Sequence, residues 1–383
     1  MRWYLLIIAV TALATFVATW GVWRFSLKHR IYPQIRERDV HQRPIPRLGG
    51  VAMFIGVLVA FAVASQLDYL HLVFNNPGPV WALLGAALLI VVVGALDDLF
   101  DLDWMIKLGA QMLAGGILAW QGVQILSLPI GGRVIGSPLL GLVITILAVV
   151  ITMNAVNFID GLDGLVAGVA IIANGVFLVY TYLLAVQSNN SSTVNLASLI
   201  SAILLGVCLG FLPWNWHPAK IFMGDSGALL VGLLMATSAL AVTGQVDSIE
   251  LGNSELLPAF IPILLPFAIL IVPLLDFIMA VVRRLSQGKS PFAADRRHLH
   301  HRLLDLGHSH RKTVILLYAW TATFSVGLLL FFILQSFFDS YYPAIPIFLL
   351  GVAICTWVTV SPILERRSNA RKTATAEQKD QTL

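Results

Sequence analysis

Charge is scarce in this sequence. Only 11% of its 383 residues are Asp, Glu, Lys or Arg, while 58% are hydrophobic. That is too little charge to coat a water-soluble domain, where about a quarter of residues are charged. Cysteine is nearly absent as well. Cys208 and Cys355 both fall inside apolar runs, which excludes a disulfide framework or a cysteine-based zinc ribbon. A phosphate-cradling Walker loop is missing, because "GKS" at 288–290 has Arg283 where that loop's first glycine belongs; this argues against an ATP-driven machine. No internal repeat is visible, which weakens any transporter built on duplicated halves. The formal net charge of +4 sits in loops rather than in a soluble basic domain, so nucleic acid is not an expected partner.

What the sequence has in abundance is apolar length. Mean hydropathy is +0.85, and runs of roughly 17 to 25 residues, the length a helix needs to cross hydrocarbon, recur along the chain. About eleven are readable, predicting an all-α integral membrane fold. They cover approximately 4–23, 48–66, 80–96, 105–120, 138–158, 165–186, 195–213, 227–245, 258–282, 313–334 and 344–364. With the N-terminus outside and the C-terminus inside, only Arg2 and Arg133 of the 24 Lys and Arg lie on the outer side, in keeping with the positive-inside rule. The first span has its positive cluster behind it, from Arg24, and reads as a retained helix rather than a cleaved signal. Segment 121–137 places β-branched residues around Gly131-Gly132 and predicts a short outer β-hairpin. Residues 1–364 read as one polytopic domain, and 365–383 as a polar, disordered cytoplasmic tail.

The little charge there is concentrates at the inner ends of the spans. "DDLFDLDW" at 97–104, "NAVNFIDGLDGL" at 154–165 and "NWHPAKIFMGDSG" at 215–227 carry Asp97, Asp98, Asp101, Asp103, Asp160, Asp163 and Asp225. Asn154, Asn157 and Asp160 recur every three residues and form one polar stripe if the helix continues. Asp97, Asp98 and Asp101 are expected on one helix face, at a C-terminus whose dipole is already negative. Something positive must offset them, either a divalent cation or an arginine-rich loop. Asp225 and Ser226 fit a plain N-cap taken alone. Taken together, these carboxylates and carboxamides are the hard oxygen donors that Mg²⁺ accepts, usually one or two of them alongside phosphate oxygens.

The basic loops supply the complement. Arg43 and Arg47 flank "PIPRLGG", and Arg296, Arg297, His298, His300, His301 and Arg302 cluster within seven residues. Zinc is the alternative reading of such a histidine cluster, but arginine neighbours repel a cation. Metal-binding carboxylates beside phosphate-binding arginines and histidines point to phosphoryl transfer, which needs mainly positioning and charge neutralisation. An ion-coupled transporter is the rival class. It requires ionisable residues deep in several spans, whereas apart from Asp276 the predicted spans are nearly free of carboxylates, and Asp276 is expected to face the bundle interior.

The motifs "RPIPRLGG", "DDLFDLDW", "NAVNFIDGLDGL", "FMGDSG" and "DRRHLHHRLLDLGHSHRKTV", in order over about 39–312, resemble the polyprenyl-phosphate N-acetylhexosamine-1-phosphate transferase superfamily. The His-x-His-His pattern is similar to the WecA/TagO branch, since Leu299 breaks the three consecutive histidines of the MraY branch, whose phospho-MurNAc-pentapeptide substrate is the alternative. The resemblance implies attack of undecaprenyl phosphate on the β-phosphate of a UDP-N-acetylhexosamine, most often UDP-GlcNAc. Lipid-pyrophosphate sugar and UMP result, with Mg²⁺ or Mn²⁺ required, at the cytoplasmic face of a bacterial inner membrane, initiating a cell-envelope glycan. It also implies roles. Asp225 and Asn157 resemble the metal pair, and Asp97 and Asp98 the aspartates assigned to lipid-phosphate deprotonation or metal binding. Asp160 and Asp163 match the nucleotide-side aspartates, Phe222 the uracil-stacking ring and Asn215 its hydrogen-bonding partner. His298, His300, His301 and Arg302 match the pyrophosphate-facing loop. A homodimer is compatible with the resemblance.

Overall fold

The computed structural model describes residues 1–32, 45–125, 128–130, 133–135, 137–187, 192–243, 271–288, 303–338 and 340–380. Apolar runs in lipid must satisfy every backbone group internally, so helix is the outcome nearly everywhere. The helices are α1 (Arg2–Lys28), α2 (Gly49–Ala64), α3 (His71–Phe74), α4 (Gly78–Phe100), α5 (Trp104–Trp120), α6 (Pro138–Ile159), α7 (Leu165–Gln187), α8 (Ser192–Asn215), α9 (Gly224–Thr243), α10 (Ile271–Ser286), α11 (His310–Phe338) and α12 (Ala344–Asp380). Among the described residues, eight helices are long and apolar enough to cross a membrane, or nine if a bent pair counts as one span. The chain is a multi-pass membrane protein.

The departures from about eleven spans have physical causes. The run expected at 48–66 breaks after α2, and the continuation Asp68–Phe74 turns away by 98°. The run expected at 105–120 is α5, whose 17 residues give about 26 Å, short of the hydrocarbon thickness. Residues 258–270 of the ninth run lie outside the described residues. The strands Leu128–Ile130 and Arg133–Ile135 pair antiparallel with Ile130 opposite Arg133, and Gly131-Gly132 lies outside the described residues. α12 runs on to Asp380, so 365–380, expected without structure, is helical. That stretch contains neither Gly nor Pro and is rich in Ala, Arg, Lys, Glu and Gln, all strong helix formers.

One helix is the post around which the others stand. In α9, 94% of the spanning window is buried, compared with 78% in α8 and 11% in α12. Helices α2, α4, α6, α7 and α8 all pack against it. Small residues allow this closeness, as in other membrane bundles. A methyl at Gly232 would come 2.6 Å from the Cα of Met153 on α6, and one at Gly94 of α4 would come 2.5 Å from the Cα of Ser226. A methyl at Gly50 would overlap the Gly227 amide. Cys208 and Cys355 are buried and free. Asp276 on α10 is 1% exposed, inside the protein as expected.

Gly50→Ala therefore tests the packing directly. Forcing a methyl into a backbone contact costs about 1–3 kcal/mol, so the detergent-purified variant should melt several degrees lower. Gly85→Ala, with nothing within 4 Å of its would-be Cβ, should melt with the wild type. Equal melting of all three proteins overturns the close-approach reading.

Candidate active site

The ends of α4, α6 and α8 and the starts of α2, α5, α7 and α9 meet at one end of the bundle. There α9 begins with "GDSG" beneath the loop "NWHPAKIFM". The first turn of α2 is held to this loop by backbone bonds. Gly49 N donates to Phe222 O at 3.0 Å, Gly50 N to Met223 O at 3.0 Å, and Phe222 N to Pro46 O at 2.8 Å. Gly224 adopts φ +67°, and a side chain there would run into the Arg47 carbonyl and the Asp98 carboxylate; glycine is the residue that fits. The "RLGG" and "FMGDSG" motifs are thus two sides of one contact.

Asp98 fixes the start of α9 from a different helix. Its Oδ1 accepts from Asp225 N at 3.0 Å, and its Oδ2 accepts from Ser226 N at 3.3 Å and Ser226 Oγ at 3.0 Å. Both oxygens are committed to the first-turn amides of α9, which a helix leaves without intrahelical partners and where its dipole favours negative charge. Asp98, expected as a catalytic group, also caps α9 and fixes the backbone of Asp225.

Asp97 points to the neighbouring helix instead. Its Oδ1 accepts from Leu102 N at 2.8 Å and its Oδ2 from Lys107 Nζ at 2.9 Å. Lys107 Nζ also lies 3.1 Å from Asp225 Oδ2, and Asn157 Nδ2 donates to Asp225 Oδ1 at 3.1 Å. Asp97, Lys107, Asn157 and Asp225 therefore form one connected cluster drawn from α4, α5, α6 and α9. Asp101 and Asp103 do not join it. Asp101 is the C-cap of α4 at φ 57°, so the chain leaves the helix before its side chain could share the face of Asp97. Asp103 caps α5, accepting from Met105 N at 2.8 Å.

Asp160 sits half-buried at the end of α6. Burial, together with the charges of Asp225 and Asp98, pushes its carboxyl up to about 8, with Arg47 acting in the opposite sense. Asn154, in the same stripe, donates to Gln111 Oε1 and to Val150 O.

The second corner is a clamp. Asn215 is 3% exposed; its Oδ1 accepts from Gly164 N and its Nδ2 donates to Ile221 O, both at 3.0 Å. That places a residue expected to read the nucleotide base between two loops, holding them together. Asp163, also 3% exposed, accepts from Ala219 N at 3.1 Å, and its Oδ2 lies 2.7 Å from His217 Nδ1. The His217 ring stacks on His310, centroids 4.4 Å apart at 25°. Tyr318 OH donates to Gly164 O, tying α11 to the same corner. Phe222 is half-buried on the loop. Arg43, His298, His300, His301 and Arg302 lie outside the described residues.

Among the described residues, two sets of side chains could hold a metal. Asp97, Asn157 and Asp225 offer oxygen only, which suits a hard cation. Asp163, His217 and His310 have ligand atoms within 4.8 Å of one another, but this set mixes one carboxylate with two stacked imidazoles, softer donors than magnesium prefers. Sequence reasoning missed Lys107, His217, His310 and Tyr318. For Lys107 a signal existed, since it is the only Lys or Arg between Arg47 and Arg133.

Residues 80–243, which contain Asp97, Lys107, Asn157, Asp163, Asn215 and α9, match the family described as glycosyl transferase family 4. The chain is 39% identical over 366 residues to the decaprenyl-phosphate N-acetylglucosaminephosphotransferase of Mycobacterium leprae, covering 94% of this chain and 90% of that protein. The chain belongs to the polyprenyl-phosphate N-acetylglucosamine-1-phosphate transferase family. The Mycolicibacterium smegmatis protein of the same description is 38% identical, over 93% of this chain and 87% of its own length. The undecaprenyl-phosphate alpha-N-acetylglucosaminyl 1-phosphate transferase of Escherichia coli K12 is 30% identical, over 74% and 71%. In this chain Asp97, Asp98 and Asp225 stand where α4, α6 and α9 converge.

The capping role of Asp98 separates from a purely chemical one by stability. Asp98→Ala leaves the amides of Asp225 and Ser226 without this acceptor, each costing about 1–3 kcal/mol, while the Ser226 hydroxyl keeps the Met223 carbonyl. The variant should melt clearly lower, with or without added divalent ion. An unchanged melting temperature with lost activity would assign Asp98 to the chemistry alone.

Proposed function

We propose that this protein transfers GlcNAc-1-phosphate from UDP-GlcNAc to a polyprenyl phosphate, undecaprenyl phosphate in the reading adopted here. A lipid phosphate oxygen forms a bond to the sugar-bearing β-phosphorus, the bond between the two phosphates of the nucleotide breaks, and UMP leaves. The observation that carries this reading is the convergence of Asp97, Asn157 and Asp225, with a lysine among them, at one end of a membrane bundle. Names of relatives at 30–39% identity support the same reaction.

In this reading Asp225, Asn157 and Asp97 would hold Mg²⁺ or Mn²⁺, which would supply neutralisation of phosphate charge. The residues do the rest. Asp98 keeps Asp225 aimed by holding the α9 amides. Asn215 and Asp163 keep the loop 216–222 against the 160–164 corner, and Phe222 on that loop offers an apolar ring to the uracil. Asp160, carrying a proton at neutral pH, is placed to donate a hydrogen bond rather than add negative charge. Arg43, Arg47, His298, His300, His301 and Arg302 are assigned to binding the diphosphate, as cations suited to its negative charge. A phosphate monoester is largely ionised at neutral pH, its second pKa being about 6. The attacking oxygen therefore needs relief from repulsion more than a base, and Asp97, bonded to both Leu102 and Lys107, fits a ligand better than a proton acceptor.

The site end is assigned to the cytoplasmic face of a bacterial inner membrane, with the N-terminus outside and the C-terminus inside, because nearly all Lys and Arg then lie inside. A cysteine placed at exposed Asp101 should react with an impermeant maleimide only in inverted vesicles. Labelling of intact cells at that position overturns the orientation.

The function itself is tested with purified protein, undecaprenyl phosphate and a panel of UDP-sugars. UMP release with UDP-GlcNAc and not with UDP-MurNAc-pentapeptide is expected. Asp225→Ala should lower turnover by about 100-fold or more, as removal of a group stabilising transition-state charge does. Substantial activity of that variant at saturating Mg²⁺ refutes the metal assignment, and absence of UMP with every sugar refutes the reaction.

A further inference from the structure

Lys107 occupies the place where a divalent ion shared by Asp97 and Asp225 would bind. Its Nζ lies 2.9 Å from one carboxylate and 3.1 Å from the other. These two acids stand on α4 and α9, and Lys107 comes from the first turn of α5, whose start is anchored by the Asp103 cap. Between Arg47 and Arg133 the sequence offers no other Lys or Arg, so the single cation on this stretch of chain falls between the two candidate metal ligands.

An ammonium is a donor with one positive charge and no lone pair. It can neutralise two carboxylates but cannot share their oxygens with a second cation a few ångströms away, because the two positive charges repel. The pair is not sealed either. The side chains of Lys107 and Asp225 keep 28% and 30% of their exposure, and a four-carbon stem gives the ammonium room to swing aside.

We propose that Lys107 is a built-in competitor of the divalent ion, so that metal binding at this site is an exchange of one cation for another. Two consequences follow. The carboxylates on α4 and α9 stay held together whenever the divalent ion leaves, and metal affinity is kept low enough for the ion to exchange. This inference rests on the metal reading given above.

Mn²⁺ titration of the full-length, detergent-purified chain, read by electron paramagnetic resonance, tests it. Lys107→Met removes the charge and keeps the length of the side chain. It should bind Mn²⁺ about tenfold or more tighter than wild type, while Lys107→Arg should stay weak. Lys107→Met should also melt lower than wild type in EDTA and with it at saturating Mn²⁺. Unchanged or weaker Mn²⁺ binding by Lys107→Met, or an equal loss of melting temperature in both conditions, overturns the competitor role. Lys107→Gln is the second variant, read in the same way. Asp225→Asn separates the two readings. If it binds Mn²⁺ like wild type, the metal site itself is wrong; if it loses Mn²⁺ while Lys107→Met is unchanged, only the competitor role falls.

Discussion

The bond from the Asp98 carboxylate to the first amides of α9 is the constraint on which the active end depends. α9 is the most buried helix of the bundle, so its N-terminal amides have no ready access to water and need a partner within the protein. Asp98 supplies it from α4, with three hydrogen bonds to Asp225 and Ser226. The bond does two things at once. It closes the top of the central helix, and it fixes the backbone of Asp225, whose side chain then reaches Asn157 and Lys107. Geometry at the cluster is therefore inherited from helix capping rather than built by the reactive groups themselves.

Close approach makes that capping possible. Asp98 can reach α9 only because Gly94, one turn earlier on α4, leaves space for Ser226, and because Gly224 passes between Asp98 and the Arg47 carbonyl. From the other side Gly49 and Gly50 donate their amides to the Phe222 and Met223 carbonyls. Three helices thus converge on four residues of loop, with glycine on each face. A side chain at any of these positions would push α2 or α4 outward and pull the carboxylates apart.

How much of this was legible in the sequence follows from the range over which each feature acts. Hydrophobic length is a local property, so eight of the eleven predicted runs fall on spanning helices among the described residues, and the carboxylate-bearing corners Asp97-Asp98, Asp160-Asp163 and Asp225 do lie at one end. Division of labour among the acids was not legible. Asp97 and Asp98 are adjacent, yet one meets a lysine on the next helix and the other meets amides 127 and 128 residues away; nothing local distinguishes them. Asn215 has the polarity of a base-reading residue, but its two partners, Gly164 and Ile221, are set by tertiary packing. Asp101 was misplaced for a backbone reason, since a left-handed C-cap ends the helical periodicity on which the shared face relied. Lys107 was the reverse case, visible as an isolated charge, with a meaning that appeared only once α5 was set against α4 and α9.

A membrane boundary crowded with acids cannot leave them all ionised and unpartnered. Here each has its own donors. Asp98 has the α9 amides, Asp97 has Leu102 and Lys107, Asp163 has His217 and Ala219, and Asp225 has Asn157 and Lys107. Burial and the neighbouring carboxylates raise Asp160 to about 8 despite Arg47, so near neutral pH protonation takes the place of a counter-charge there. The corner thereby holds five acids within a short distance while limiting its net negative charge, and Asp225, half-buried and bonded on both oxygens to groups that can yield, is the one best placed to take up a cation from outside.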